Sequence, residues 1–245
     1  MSRLVFMDAA GRELSLDELK GFTGTLRWQI VGDERISAEA GRLHREARGA
    51  GERGDYPRAL DLLEQAHQIA PGWAYPLYDM AFTHLLQGDT TRAEELYAQV
   101  DELEPRGFFT CKTTLDTLRR EHAGRLFPGF CDAFVKLEWL GDQTQKQAVL
   151  RGIVARFPDF PPAWKQLSDL VTDPAERMQA VESGLAGAPD ADTLGGLLVT
   201  KAGLMHHNGD HDAAIGILTE LAADPASTLS TEAWARVALA GLDGR

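Results

Sequence analysis

The sequence predicts an all-α fold, a stack of helix-turn-helix repeats, with a small strand-containing cap at the N-terminus. Three observations predict it. Gly54-Asp55-Tyr56 recurs as Gly88-Asp89-Thr90, and the interval from Gly54 to Pro71 equals that from Gly88 to Pro105. A fixed period in this range marks hairpins that cannot bury their apolar faces alone and must stack on neighbours. Apolar residues also recur at equal offsets from the two glycines. Ala59 matches Ala93, Leu63 matches Tyr97 and Ala66 matches Val100, which places them on one helical face. Residues 1–35 lack the period and alternate instead.

In that first stretch, Leu4-Val5-Phe6-Met7 and Thr25-Leu26-Arg27-Trp28-Gln29-Ile30-Val31 read as strands, the second placing Leu26, Trp28 and Ile30 on one face. Between them Ser15-Leu16-Asp17-Glu18 has capping-box spacing, so a short helix follows Ser15 and stops near Gly21 or Gly24. Two strands alone are marginal in water, so this cap must pack on the helices or on a partner.

From residue 36 onward the chain reads as successive helices. The repeat units fall at 40–73, 74–107, 127–160, 161–190 and 195–228, and a capping helix covers 230–242. The second unit carries Leu77, Met80, Ala81 and His84 at regular spacing, but after Pro105 no glycine arrives where the period requires it. Residues 108–126 therefore read as an inserted helix. The pattern resumes at Gly141-Asp142, with Pro158 following at the same glycine-to-proline interval. Phe130, Ala133, Phe134 and Leu137 precede that turn, and Leu150 and Ile153 follow it. In the fourth unit, Trp164 and Leu167 open the first helix and Asp173-Pro174 starts the second, with Glu176 at the third position after the cap. The fifth turns at Gly209-Asp210-His211, and Trp234, Val237 and Leu242 line an amphipathic last helix.

These spacings resemble the tetratricopeptide repeat, a helix-turn-helix unit of about 34 residues. The resemblance is specific over 40–107, moderate over 127–160, and in phase over 161–228. It implies a right-handed superhelical stack whose first helices line a groove, and a general task of holding proteins or peptides. In that family the inner-face positions here correspond to His44, Arg48, Tyr75, Tyr78, Phe82, Trp139, Lys165, His206 and His207. Rigid aromatics such as Tyr75, Tyr78 and Phe82 make good anchors because they offer area at low entropy cost. Packing against neighbouring helices or the cap explains the same three residues equally. Family members that clamp acidic chaperone tails use a lysine and asparagines at fixed places. Here those places hold His44, Arg48 and Asp79, which argues against that clamp.

Composition narrows the partner. A formal charge of −12 repels phosphate backbones and anionic lipid, so nucleic acid and membranes are not expected partners. No run approaches the ~20 apolar residues that span a bilayer, and the start lacks a secretory pattern. Cys111 and Cys131 make no disulfide framework. A cytoplasmic protein follows as the expectation. Arginine outnumbers lysine 19 to 6, a bias of GC-rich bacterial genomes.

Gly49-Ala50-Gly51-Glu52-Arg53-Gly54 spells the dinucleotide fingerprint, but it follows a charged helical stretch instead of a strand, and Gly54 already serves as a hairpin turn. His206, His207, Asp210 and His211 form a compact set of metal-ligand types, yet His207 and His211 are separated by a turn, and solvated histidines account for them. The inserted stretch carries Arg106, Lys112, Arg119, Arg120 and Arg125 against Asp116 and Glu121, which ordinary helix-surface pairing accommodates. The expectation is a non-enzymatic scaffold with no cofactor and no metal. Its partner is a protein or peptide held in the groove. The alternative is an assembly protein whose N-terminal strands or C-terminal helix build a homo-oligomer.

Overall fold

The computed structural model describes residues 3–19, 22, 25–31 and 36–242. These are predominantly helical, with one small sheet. The chain divides into two compact units. One spans Gly32–Trp139, and the other joins Arg3–Val31 to Leu140–Arg245. The division falls inside the 127–160 stretch, between Trp139 and Leu140.

The first unit opens with two helical hairpins: α2 (Ala38–Glu52) with α3 (Tyr56–Ile69), and α4 (Ala74–Leu86) with α5 (Thr90–Leu103). Their turns are closed alike. Gly54 at φ +79° and Gly88 at φ +80° occupy the left-handed region, where a side chain would be strained. The next backbone N–H reaches back into the finished helix, Asp55 to Ala50 O at 3.0 Å and Asp89 to His84 O at 2.9 Å. Asp55 and Asp89 then cap α3 and α5 through the N–H of Arg58 and Arg92. Gly49 and Gly51 lie inside α2, so the fingerprint spelling does not form a phosphate loop.

Within the stretch 108–126, read from sequence as an inserted helix, the helix itself is shorter, α6 (Cys111–His122), and ends on the same device. Gly124 has φ +71°, and the N–H of Arg125 reaches Arg120 O at 2.9 Å. The hairpin-closing glycine therefore arrives slightly later than the interval from Gly54 to Gly88 requires, at position 124 instead of 122. Helix α7 (Phe130–Val135) and a 3-10 turn over Lys136–Trp139 complete the unit. The core gathers Leu63, Leu77, Leu85, Leu96, Tyr97, Leu115 and Leu118 with both thiols. Cys111 Sγ donates to Tyr97 O and Cys131 Sγ to Thr114 O. Burial pushes the Cys131 thiol well up from its ordinary pKa, with Glu121 adding to the shift. Glu121 itself accepts the N–H groups of Gly129 and Cys131 at 2.7 and 2.9 Å, fixing the start of α7.

The second unit holds the sheet. Strands β1 (Arg3–Met7), β2 (Glu13–Leu14) and β3 (Arg27–Val31) are antiparallel in the order β2-β1-β3. The capping box starts α1 (Leu16–Leu19): Ser15 N–H donates to Glu18 at 2.9 Å and Glu18 N–H to Ser15 Oγ at 3.2 Å. The predicted helix stop at Gly21 or Gly24 lies outside the described residues. Phe6, Leu14, Leu26 and Trp28 pack with Ala233, Val237 and Ala240 of α13 (Leu229–Leu242). The remaining helices are α8 (Gln143–Arg156), α9 (Pro161–Leu170), α10 (Pro174–Ala186), α11 (Ala191–His207) and α12 (His211–Ala223). Asp173 caps α10 through Glu176 N–H at 2.8 Å. Helix α11 approaches α13 so closely that a Cβ on Gly195 would sit 1.8 Å from Thr231 Oγ1.

Candidate protein-binding surface

Helix α4 presents its aromatic residues to the loop that follows α5, and the two together build the main feature of the first unit. Tyr75 and Tyr78 are both half-buried. Phe108 packs edge-on against each, at centroid distances of 4.8 and 5.6 Å. Phe109 also meets both, at 5.5 and 5.4 Å, yet remains 60% exposed. Such aromatic pairs are worth about 0.5–1.5 kcal/mol each beyond the area they bury. The Tyr78 hydroxyl is 2.9 Å from Thr110 Oγ1, and burial raises its pKa against the opposing effect of that bond.

The backbone holds Phe109 there at a cost. Its φ is +47°, a left-handed conformation that is unfavourable for a bulky residue by about 1–2 kcal/mol. Gly107, just before Phe108, has φ +90°. The loop thus turns twice through left-handed space, and the second turn carries an exposed ring over Tyr75 and Tyr78.

His44 and Trp73 extend the aromatic set along α4. His44 lies 5.7 Å from Tyr75 and 4.9 Å from Trp73, ring to ring, and its Nε2 is 2.8 Å from Asp79 Oδ2. Asp79 is thereby engaged by a neighbouring helix. Arg48 is exposed, and its charge lowers the Tyr75 phenol pKa while burial, the larger effect, and Asp79 raise it. Phe82, further along α4, meets the largely exposed Trp139 at 6.3 Å.

The other candidates lie in the second unit. Lys165 pairs with Asp169 one turn on, at 2.8 Å. The histidine turn joins His206 to His211, with Nδ1 atoms 2.9 Å apart, while His207 is exposed at the end of α11. Among the described residues, no three His, Cys, Asp or Glu side chains gather as metal ligands. Nor is any described helix long and apolar enough to cross a membrane. On α6, Lys112 pairs with Asp101, Arg119 with Glu94 and Arg120 with Asp116. Its basic character is therefore largely compensated within the first unit.

Residues 52–106, which run from the end of α2 through α3, α4 and α5, match the family model described as a tetratricopeptide repeat. This stretch is a tetratricopeptide-repeat segment. No curated protein sequence matches the chain. Among solved structures, residues 41 to the end of MamA from Desulfovibrio magneticus RS-1 align over 76% of this chain and 94% of that one, at 17% identity and a TM-score of 0.37. A thermophilic TPR protein of Thermus thermophilus aligns over 82% of this chain and 98% of that one, at 18% identity and a TM-score of 0.34. YrrB, described as a TPR protein with an unusual peptide-binding site, aligns over 82% and 90%, at 14% identity and a TM-score of 0.33.

In the tetratricopeptide-repeat segment, repeat spacing alone places Tyr75, Tyr78 and Phe82 on one side of α4. Trp73, Phe108 and Phe109 escaped the sequence reading because the first precedes its helix and the other two follow Pro105. One signal was present. Two adjacent phenylalanines directly after a loop glycine, Gly107-Phe108-Phe109, are unusual where turns favour polar residues.

Proposed function

We infer that this chain is a non-enzymatic, cytoplasmic binding module. It grips an extended peptide segment of a partner protein on the aromatic surface of its first unit. One observation carries the reading: Phe109 is held 60% exposed, in a strained backbone, beside two half-buried tyrosines. The edge contacts with Tyr75, Tyr78 and Phe108 offset the strain while leaving most of the ring in solvent, and strained, exposed residues of this kind concentrate at ligand contacts. Apolar side chains of the peptide lie on Phe109, Tyr75 and Tyr78, and a single carboxylate lies near Arg48. The overall charge of −12 disfavours a long acidic segment, so the carboxylate is isolated. His44, Trp139 and Phe82 border this surface. Lys165, His206 and His207 belong to the second unit and are not needed for the contact.

Selection from a displayed peptide library against the purified chain tests the reading. The expected peptides combine two or more large apolar residues with one acidic residue. Titration calorimetry should show Phe109→Ala weakening them by about 1–3 kcal/mol, with the chain still folded at the temperature of the measurement. Peptides whose affinity ignores both Phe109→Ala and Arg48→Ala would sink it.

A further inference from the structure

In the second unit, β3 is one of the two outer strands of the described sheet, hydrogen-bonded to β1 on one side. On its other side, alternate backbone N–H and C=O groups point outward, a template for a further strand. Proteins usually blunt such an edge with lysine, proline or a bulge. The strand reads Arg-Trp-Gln-Ile-Val, with its single charge at the first position and nothing that breaks the ladder. The register sets Trp28 opposite Phe6 and Ile30 opposite Leu4. Trp28 and Ile30 therefore share the face that packs on α13, where Trp28 meets Trp234 edge-on at 5.7 Å. Ile30 is 38% exposed and Trp234 53% exposed. Among the described residues, an unpaired edge and a partly exposed apolar strip thus coincide.

We propose that β3 pairs antiparallel with β3 of a second copy of this chain, about a twofold axis at Gln29, giving a six-stranded sheet with two α13 helices on one face. The strand is self-complementary about that residue. Trp28 falls opposite Ile30 of the second copy, an aromatic on a β-branched side chain, which is a favourable cross-strand pair. Arg27 falls opposite Val31, so no two arginines confront each other across the axis. Twofold contacts require this match of a patch with itself. A second copy also brings its own Ile30 and Trp234 to the strip beside the edge. An unrelated extended peptide would fill the backbone positions and leave that strip open. The proposal concerns the second unit and stands apart from the aromatic surface of the first.

Sedimentation at micromolar concentrations, with the full chain, tests it. The expected species has twice the 26.8 kDa chain mass. Ile30→Lys should raise the dimer dissociation constant about tenfold or more while the thermal melt holds, because Ile30 is already exposed. Gln29→Cys should give a disulfide-linked dimer on mild oxidation, since directly opposed residues bring their Cβ atoms within about 4.5–5.5 Å. The native thiols are both buried and do not compete. Arg27→Cys should not cross-link, because the two copies of that residue would be separated by about 13 Å along the strands. A monomer at every concentration overturns the proposal, whether or not it binds strand-forming peptides. So does a dimer that ignores Ile30→Lys and fails to cross-link through Gln29→Cys.

Discussion

The Tyr78 hydroxyl lies 2.9 Å from Thr110 Oγ1, which ties the middle of α4 to the residue directly after Phe109. That bond, with the edge-on packing of Tyr78 on Tyr97 and Phe108, makes Tyr78 the joint between the repeat core and the exposed loop.

Two substitutions at Tyr78 should separate these roles. Tyr78→Phe removes one hydrogen bond and should lower unfolding stability by about 0.5–1.5 kcal/mol. Tyr78→Ala removes the ring from beneath Phe109 and from contact with Tyr97, and should cost about 3–5 kcal/mol. Urea unfolding measures both. Equal effects would mean that the ring is not part of the packed core.

Phe109 should invert the usual order of glycine and alanine. Both Phe109→Gly and Phe109→Ala lose the ring contacts, but only glycine relieves the left-handed φ of +47°. Phe109→Gly should be the more stable of the two by about 1 kcal/mol, and both should lose peptide affinity. If alanine is the more stable, the strain is absent.

Two glycines of α11 should respond in opposite directions to alanine. A Cβ at Gly203 meets nothing within 4 Å, so Gly203→Ala should stabilise the helix by about 0.5–1 kcal/mol. A Cβ at Gly195 would fall 1.8 Å from Thr231 Oγ1 and 2.6 Å from Thr231 Cγ2. The overlap should make Gly195→Ala destabilising by about 1–3 kcal/mol despite the better helix propensity. Because Thr231→Gly removes the overlap, the double variant Gly195→Ala with Thr231→Gly should lose less than the sum of the two single losses. Thermal melts of the variants decide the matter, and a stabilising Gly195→Ala would mean that α11 and α13 are further apart.

The capping box of α1 makes a prediction about pH. The Ser15 N–H, the Arg12 guanidinium and the Ser15 hydroxyl hold the Glu18 pKa at about 2, down from its usual 4.5. A carboxylate depressed on folding contributes stability that is full above its unfolded pKa and is lost as pH falls through the folded one. The contribution of Glu18 should therefore persist at neutral pH and fade between about 4.5 and 2. A side-chain NMR titration should place Glu18 near the lower value, and Arg12→Ala should move it upward. A midpoint near 4.5 in the wild-type chain would contradict the pairing.

Repeat architecture was legible because it is written in local chemistry. Gly54 and Gly88 adopt positive φ because a hairpin turn needs it, and Asp55, Asp89 and Asp173 cap helices through backbone groups of the first turn. Ser15 and Glu18 form their box for the same reason. The strands were legible from alternation, although Ile30 lies on the core-facing side and is still exposed at the sheet edge.

Contacts between distant residues were not legible, because no period or motif encodes them. The sequence by itself determined the hairpins, their caps, the strand-bearing first segment and the exclusion of a phosphate loop, all of which depend on residues within about one turn of each other. Only the tertiary structure decided that Phe108 and Phe109 join Tyr75 and Tyr78, that His44 engages Asp79 on a different helix, and that His211 meets His206 instead of His207. The physical reason is that a surface is made by side chains brought together through packing, and packing is set by the whole core at once.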